Sequence, residues 1–236
     1  MIRRIAKILA ALALGAGLGL GALLWFLPAL RGGICPGCMG LEKVTPALWV
    51  EASMPDHARA ALASEVEAAR ATIAAFYGPP RAHLRILACE SRACDRRLGG
   101  RGAAAVTYSL GSISVVRLAP RGLNATILTH ELAHTETHAR LGLIGQVTNR
   151  MPTWFDEGLS VVISDDPRYL GPGSGAARCL LAPRADLPAS PFDWAPLAAK
   201  DRMLYAEAGC AVEIWLSENG HLAGLLARMD AGGALP

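Results

Sequence analysis

The uncharged run from Ile8 to Leu30 constrains this chain most, because its 23 residues are long enough to cross a bilayer as a helix. Arg3, Arg4 and Lys7 precede the run, whereas Arg31 is the only charge near its far end. Segments flanked by positive charge stay in the cytoplasm. We therefore expect a single-pass anchor with a cytoplasmic N-terminus over residues 1–31 and an exported remainder.

A cleaved signal peptide is the alternative interpretation of this run. Leu27-Pro28-Ala29 has a leucine where a cleavage site needs a small residue, and Ile34 before Cys35 departs from a lipoprotein site in the same way. The run is also longer than the apolar core of a usual signal peptide. These features favour an anchor that is not cleaved.

The composition excludes several classes of protein. With 236 residues the chain can bury a sizeable core, and a net charge of +3 with 6% aromatic residues gives no case for nucleic-acid binding. Lysines occur only at Lys7, Lys43 and Lys200, a scarcity that is typical of GC-rich bacterial coding. The expected location is therefore a bacterial inner membrane, with the folded part in the periplasm or outside the cell.

All six cysteines follow the anchor, as expected in an oxidising compartment. Their connectivity is not fixed by the sequence alone. Local spacing favours the pairs Cys35–Cys38 and Cys89–Cys94, which leaves Cys179 and Cys210 for each other.

The remaining pattern predicts an α+β fold with a small sheet lobe followed by a helical lobe. Glycines and prolines indicate an extended linker containing the Cys-x-x-Cys motif over residues 32–54, and residues 55–236 then form one domain. Apolar residues spaced by three and four predict a helix from Asp56 to Phe76. The predicted strands are His83–Cys89, Ala103–Tyr108 and Ser112–Leu118.

The second half of the chain reads as mainly helical. Asn124 is expected to cap a helix that runs to about Leu141, and Pro152 begins another that runs to about Ser164. The proline-rich residues 165–199 are expected to be irregular. Two helices follow, one capped by Asp201 and ending near Glu218, and one over residues 221–229.

The sequence His130-Glu131-Leu132-Ala133-His134 lies within the first of these helices. Residues four apart share one helix face, so both imidazoles can bind a single Zn²⁺. Glu131 leaves the helix at another angle and suits the role of general base toward a metal-bound water. The spacing of this His-Glu-x-x-His motif therefore matches a hydrolytic mechanism.

Catalytic zinc takes a third protein ligand, and Glu157 in the second turn of the helix after Pro152 is the best candidate. Its neighbour Asp156 has the character of a solvated helix carboxylate. His138 is the competing ligand, but a straight helix places it one turn too far from the ion. Residues that could orient the ligating histidines are listed here: Glu136, Asp165 and Asp166.

The motif followed by Trp154-Phe-Asp-Glu-Gly-Leu-Ser160 resembles the gluzincin metallopeptidases, and the peptidase MA-like group most of all. The resemblance covers residues 56–230 and implies a thermolysin-like fold. It implies zinc bound by His130, His134 and Glu157, with Glu131 as the general base. The Gly-x-Met-Glu-Asn segment of aminopeptidases is absent, so endopeptidase and exopeptidase activity both stay open.

The resemblance also implies a hydrogen-bond donor for the oxyanion and a strand that binds substrate. Tyr205, on a downstream helix like that of the family, is the first candidate donor, and Tyr169 and His221 are the alternatives. Ser112–Leu118 is the expected edge strand beside the zinc helix, where it would bind an extended peptide backbone.

Three functions compete at this stage. The first is a membrane-anchored zinc metallopeptidase that acts on a peptide or protein substrate. The second is a non-catalytic metal-binding scaffold or interaction protein of the cell envelope. The third is a thiol–disulfide protein that uses Cys35 and Cys38, although a redox motif should open a helix within a βαβ unit. The presence of Glu131 favours the first over the second, because a scaffold has no need of a base.

Overall fold

The computed structural model describes residues 2–233 and 235–236 and has a mixed α/β fold. Its strands are β1 (Leu41–Lys43), β2 (Leu48–Glu51), β3 (His83–Ala88), β4 (Ala105–Leu110) and β5 (Ile113–Leu118). Its α-helices are α1 (Ile2–Phe26), α2 (Pro28–Ile34), α3 (Asp56–Tyr77), α4 (Arg92–Arg97), α5 (Ala125–Val147), α6 (Thr153–Ile163), α7 (Pro191–Lys200), α8 (Leu204–Glu218) and α9 (His221–Asp230).

The strands form one sheet in the order β1-β2-β3-β5-β4. Strands β2, β3 and β5 are parallel, while β1 and β4 pair antiparallel at the two edges. The predicted linker is therefore wrong from residue 41 onward, because β1 and β2 belong to the sheet. Such short strands in a segment rich in glycine and proline gain their conformation from pairing with β3, which local spacing cannot reveal.

Helices cover both faces of the sheet. On one face α3 and α5 bury a large core that includes Ile86 and Val116, and this core continues to Phe155 in α6. On the other face α4 and the first residues of β1 enclose a smaller apolar group around Leu87. Arg117 of β5 is buried on that face and pairs with Asp95 of α4, which compensates the charge of both side chains.

Helix α2 is fixed to the sheet rather than free. Ala29 and Gly32 are buried, and the Arg85 guanidinium donates to the Gly33 carbonyl. A Cβ added to Gly33 would lie 2.5 Å from a methyl of Val115, so only glycine permits this close approach. The chain that follows α1 is thus held against the body of the domain.

The first helices were examined for their ability to cross a membrane. Among the residues described, no single helix is long and apolar enough for that. Gly17–Phe26 and Pro28–Ile34 satisfy the length and composition test together, with a bend of 107° between them.

Several predicted helix boundaries change in the second half. Gly142, at φ 66°, breaks the path of α5, and the helix resumes as far as Val147 instead of ending near Leu141. Helix α7 lies within residues 165–199, which were expected to be irregular. Asp201 does not cap α8, since it ends α7 and α8 begins at Leu204.

Three disulfides join Cys35 to Cys38, Cys89 to Cys94 and Cys179 to Cys210, which confirms the expected pairing. The first lies in a single 3₁₀ turn between α2 and β1, and does not open a helix inside a βαβ unit. That position gives no support to a thioredoxin-like role for this motif.

Candidate metal centre

Helix α5 positions the His-Glu-x-x-His motif beneath the edge of the sheet. Asn124 accepts a hydrogen bond from the Ile127 backbone N–H and fixes the start of the helix. Glu131 and His134 are buried, and His130 is partly exposed to the space above them. The motif therefore lies on a well-anchored helix at the boundary between core and solvent.

Helix α6 brings Glu157 to the two histidines. The His130 Nε2 lies 3.1 Å from the His134 Nε2, and the Glu157 Oε2 lies 3.3 Å from the first and 3.5 Å from the second. These three side chains could hold a metal ion. The close approach of α6 to α8 at Gly158 contributes, since it lets α6 lie deep enough to present Glu157.

Asp156 is not the solvated carboxylate that the sequence suggested. Its Oδ2 lies 2.9 Å from the Nδ1 of His134 and 2.9 Å from the Nε2 of His138, and its side chain is largely buried. The Ser160 hydroxyl lies 3.2 Å from the same His134 Nδ1. Asp156 thus orients His134 so that its Nε2 faces His130 and Glu157.

The three residues considered for this orienting role do other things. Glu136 accepts from the backbone N–H groups of Arg81 and Ala82, and Asp166 and Asp165 pair with arginines. Asp156 was missed because the contact joins two helices, and nothing in the local pattern of α6 signals it.

His138 takes part in the cluster through Asp156. His134, His138 and Asp156 form a second group of donors spaced closely enough for a metal ion. However, both histidine contacts converge on one carboxylate oxygen at hydrogen-bond distance, and the His134 Nδ1 also faces Ser160. A hydrogen-bonded chain explains this geometry without an ion.

The electrostatics of the cluster favour positive charge. Burial lowers the pKa of His134, but the carboxylates of Asp156 and Glu157 outweigh it and raise that pKa well above its usual range. Burial raises the pKa of Glu157, but His134 and His130 outweigh it and lower that pKa to about 2. Two ionised carboxylates beside two imidazoles make a site suited to a cation.

Glu131 points away from the three donor atoms toward β4. Its Oε2 accepts a hydrogen bond of 2.7 Å from the Thr107 hydroxyl, whose oxygen also lies 3.3 Å from the Glu131 backbone carbonyl. Thr107 therefore fixes one carboxylate oxygen of Glu131. The sequence gave no signal for this contact, because it depends on which strand lies beside α5.

Tyr205, in the first turn of α8, lies beside the histidines. Its ring centroid is 6.2 Å from that of His130, and it stacks on Tyr169 at 5.2 Å and packs edge-on against Trp194 at 5.3 Å. The Glu157 carboxylate and burial raise the pKa of Tyr205, so its hydroxyl stays protonated and can donate. His221 begins α9, is exposed and does not border this space.

A groove of about 1260 Å³ opens over these residues. Strand β4 forms one wall, and residues from α5, α6, α7 and α8 complete it. The expectation that Ser112–Leu118 is the edge strand is wrong, because β5 pairs with β3 on one side and β4 on the other. The edge beside the candidate site is Ala105–Leu110, since the hairpin folds β4 to the outside of β5.

Comparisons with known proteins add no name to this geometry: no family model, curated protein or solved structure matches the chain.

Proposed function

We propose that this chain is a membrane-anchored, zinc-dependent metallopeptidase that hydrolyses peptide bonds on the exported side of a bacterial inner membrane. The observation that carries the proposal is the convergence of the His130 Nε2, the His134 Nε2 and the Glu157 Oε2 within 3.1–3.5 Å of one another. The uncharged run before the domain and its three disulfides support the membrane and the export.

The spacing of these donors suits zinc. A tetrahedral ion with bonds of about 2.0–2.1 Å separates its ligands by about 3.3–3.4 Å, which lies within the range of the three distances here. Two imidazoles and one carboxylate are also a ligand set found in catalytic zinc sites, which keep the fourth position for water or substrate. The hydrogen bond between His134 and Asp156 supports the assignment, because ligating histidines usually donate their other N–H.

Bound zinc would supply Lewis-acid polarisation of a carbonyl and a water with a pKa of about 7. Glu131 is then the general base: it takes a proton from the attacking water and passes it to the amine released when the C–N bond breaks. The products are one carboxylate and one amine. Thr107 holds one oxygen of Glu131, which leaves the other free to carry that proton.

Tyr205 and β4 complete the reaction scheme. The protonated phenol of Tyr205 beside His130 suits a donor to the oxyanion that forms during attack. The neutral edge of β4 offers backbone groups to an extended peptide lying in the groove. With the metal trio, this set is similar to that of the gluzincins, and the proposal places the chain near that family.

Metal analysis of the purified full chain tests the centre directly. We expect one zinc per wild-type chain and loss or strong weakening of zinc binding in Glu157→Ala. Glu67→Ala, an exposed carboxylate on α3, is the matched control and should keep the metal. A wild-type chain without zinc, or equal zinc in both variants, would contradict the proposal.

Hydrolysis of a quenched-fluorescent peptide library tests the activity. Glu131→Gln should keep zinc and lose turnover by about 10²-fold or more, because only proton transfer is removed. Cleavage that persists in this zinc-loaded variant would refute the mechanism. Zinc binding without cleavage of any peptide by the wild type would instead favour the non-catalytic scaffold.

A further inference from the structure

Five large aliphatic side chains form an exposed patch at one end of the domain, which we call the tip patch. Leu110 and Ile113 belong to the tip of the β4–β5 hairpin, and Leu143, Ile144 and Val147 belong to the end of α5. Between 51 and 80% of each residue is exposed. A cluster of this kind is typical of an interaction surface rather than of a surface in contact with water alone.

The tip patch is held together rigidly. The Gln146 amide donates to the Gly111 carbonyl at 2.8 Å and to the His138 carbonyl at 2.7 Å, while the Gly111 N–H donates to the Gln146 side-chain oxygen at 3.1 Å. The break at Gly142 turns the last part of α5 toward the hairpin. Hairpin and helix end therefore present their apolar side chains as one unit.

The patch carries no charge. Residues 107–116 around the hairpin tip and residues 141–149 at the end of α5 contain no Asp, Glu, Lys or Arg. Because no ionised side chain would be desolvated, these segments can enter an apolar medium at low cost. A docking surface for a soluble protein usually has charged and polar residues around its centre.

Helix α2 connects this patch to the apolar N-terminal helix. Gly33 of α2 lies against Val115, and Ile113 is on the same face of β5, one pleat repeat of about 6.6 Å further toward the tip. Ile34 at the end of α2 is exposed, and it borders the same groove as Leu110 and Ile113. The exit of α1 and the tip patch therefore lie along one side of the domain.

We propose that the tip patch is a membrane-docking surface, which lies in the interface of the bilayer that α1 enters. This inference rests on the anchor in the proposed function but not on its chemistry. Because α2 fixes the exit of α1 to the sheet, only part of the domain can reach the lipid, and the patch is in that part. Docking would hold the groove, one wall of which is β4, beside the membrane surface.

Depth-dependent quenching in the full chain tests this proposal. A fluorescent non-canonical amino acid replaces Ile144, or Ala71 on the exposed side of α3 as the control, and the chain is placed in nanodiscs of phosphatidylethanolamine and phosphatidylglycerol. We expect lipids brominated on their acyl chains to quench the probe at position 144 at least threefold more than the probe at 71. Iodide in the buffer should show the opposite preference.

Further arms separate the outcomes. Replacing Leu143 and Val147 by serine should reduce lipid quenching at position 144 without changing the unfolding midpoint by more than the control variation. Equal lipid quenching at 144 and 71 in an inserted chain would overturn docking alone. Shielding of position 144 only when two copies share a disc would assign the patch to a second copy and also overturn it. A chain that washes off the membrane would overturn both the anchor and the docking, whatever its zinc content or activity.

Discussion

At the scale of single residues, the candidate centre depends on side chains outside the motif that first identified it. Asp156 orients His134, and Thr107 fixes Glu131. Both contacts cross between elements, one from α6 to α5 and the other from β4 to α5. The local sequence predicts the residues that would bind the metal and carry the proton, whereas the fold determines which neighbours hold them in position.

Asp156→Asn should weaken metal binding by about 10–100-fold while leaving the three donor residues unchanged. The reason is that the amide is a weaker acceptor for the His134 Nδ1–H and removes a negative charge from the site. Competition for zinc against a fluorescent chelator measures the change. Asp165→Asn, an exposed carboxylate in the loop after α6, should bind zinc like the wild type. Equal affinities for wild type and Asp156→Asn would argue against the orienting role.

Thr107→Val should lower peptidase turnover by about tenfold with the zinc content preserved. The valine keeps the shape of threonine but removes the hydroxyl that donates to the Glu131 Oε2, so the carboxylate loses its fixed position. Steady-state kinetics together with metal analysis separate the two effects. Thr72→Val, on the exposed side of α3, is the matched control. Loss of zinc in Thr107→Val would point to a structural effect instead.

At the scale of elements, sequence periodicity predicted the long helices well and the sheet order poorly. The spacing of apolar residues identified α3 almost to its ends, since one face of that helix covers the sheet. The positions of β1 and β2 were missed because their conformation depends on pairing with a strand 32 or more residues later. The insertion of β5 between β3 and β4 was also invisible, because no local pattern specifies the neighbours of a strand.

Gly158→Ala should destabilise the packing of α6 on α8 by about 1–3 kcal/mol. A Cβ at this position would lie 2.3 Å from the Ala208 carbonyl oxygen, so the two helices must separate. Urea unfolding measures the loss of stability, and zinc affinity should fall as well, because Glu157 moves with α6. Gly37→Ala, which meets no atom within 4 Å, should unfold like the wild type. A stable Gly158→Ala chain would show that α6 tolerates a wider spacing.

Glu51 links β2 to α4 and gives the fold a dependence on acid. Burial raises the pKa of Glu51, but hydrogen bonds from the Ser91 hydroxyl and from the backbone N–H groups of Ser91 and Glu90 outweigh it and lower that pKa below 4.5. The ionised form therefore stabilises the folded state above about pH 4.5. That contribution is lost as the pH falls through the lowered pKa of the folded state.

Glu51→Gln should therefore be less stable than the wild type at pH 7, and the difference should shrink as the pH falls below about 4. Urea unfolding at a series of pH values measures both curves. Glu67→Gln, on the exposed side of α3, should follow the wild type throughout. Parallel curves for wild type and Glu51→Gln would mean that the pKa of Glu51 is the same in the folded and unfolded states.

At the scale of the whole molecule, the fold joins a sheet with helices on both faces to a group of helices that carries half of the candidate site. The expected α+β class and the three disulfide pairs agree with this arrangement. The position of α7 was not predicted, since Pro191 and Pro196 suggest a loop and its buried Trp194 is recognised only in the packed structure. Packing across the molecule therefore decided what local propensity left open.

The disulfide between Cys179 and Cys210 should stabilise the helical part more than the other two pairs. It closes a span of 31 residues, against 3 for Cys35–Cys38 and 5 for Cys89–Cys94, and the entropy removed from the unfolded chain grows with that length. Replacing Cys179 and Cys210 by serine should cost about 3–4 kcal/mol, measured by urea unfolding. The same replacement of Cys35 and Cys38 is the control and should cost less. The reverse order would contradict the entropic account.

The two edges of the sheet differ in a way that affects how the chain behaves in concentrated solution. Strand β1 is short and carries Glu42 and Lys43, which discourage pairing with another strand. Strand β4 has six residues, none charged and none proline, and ends in the exposed Leu110. The strand that suits an incoming peptide is therefore also the strand most open to a neighbouring chain. Overproduction would favour aggregates that grow from β4, and a lysine at Ser109 would be the first change to make against them.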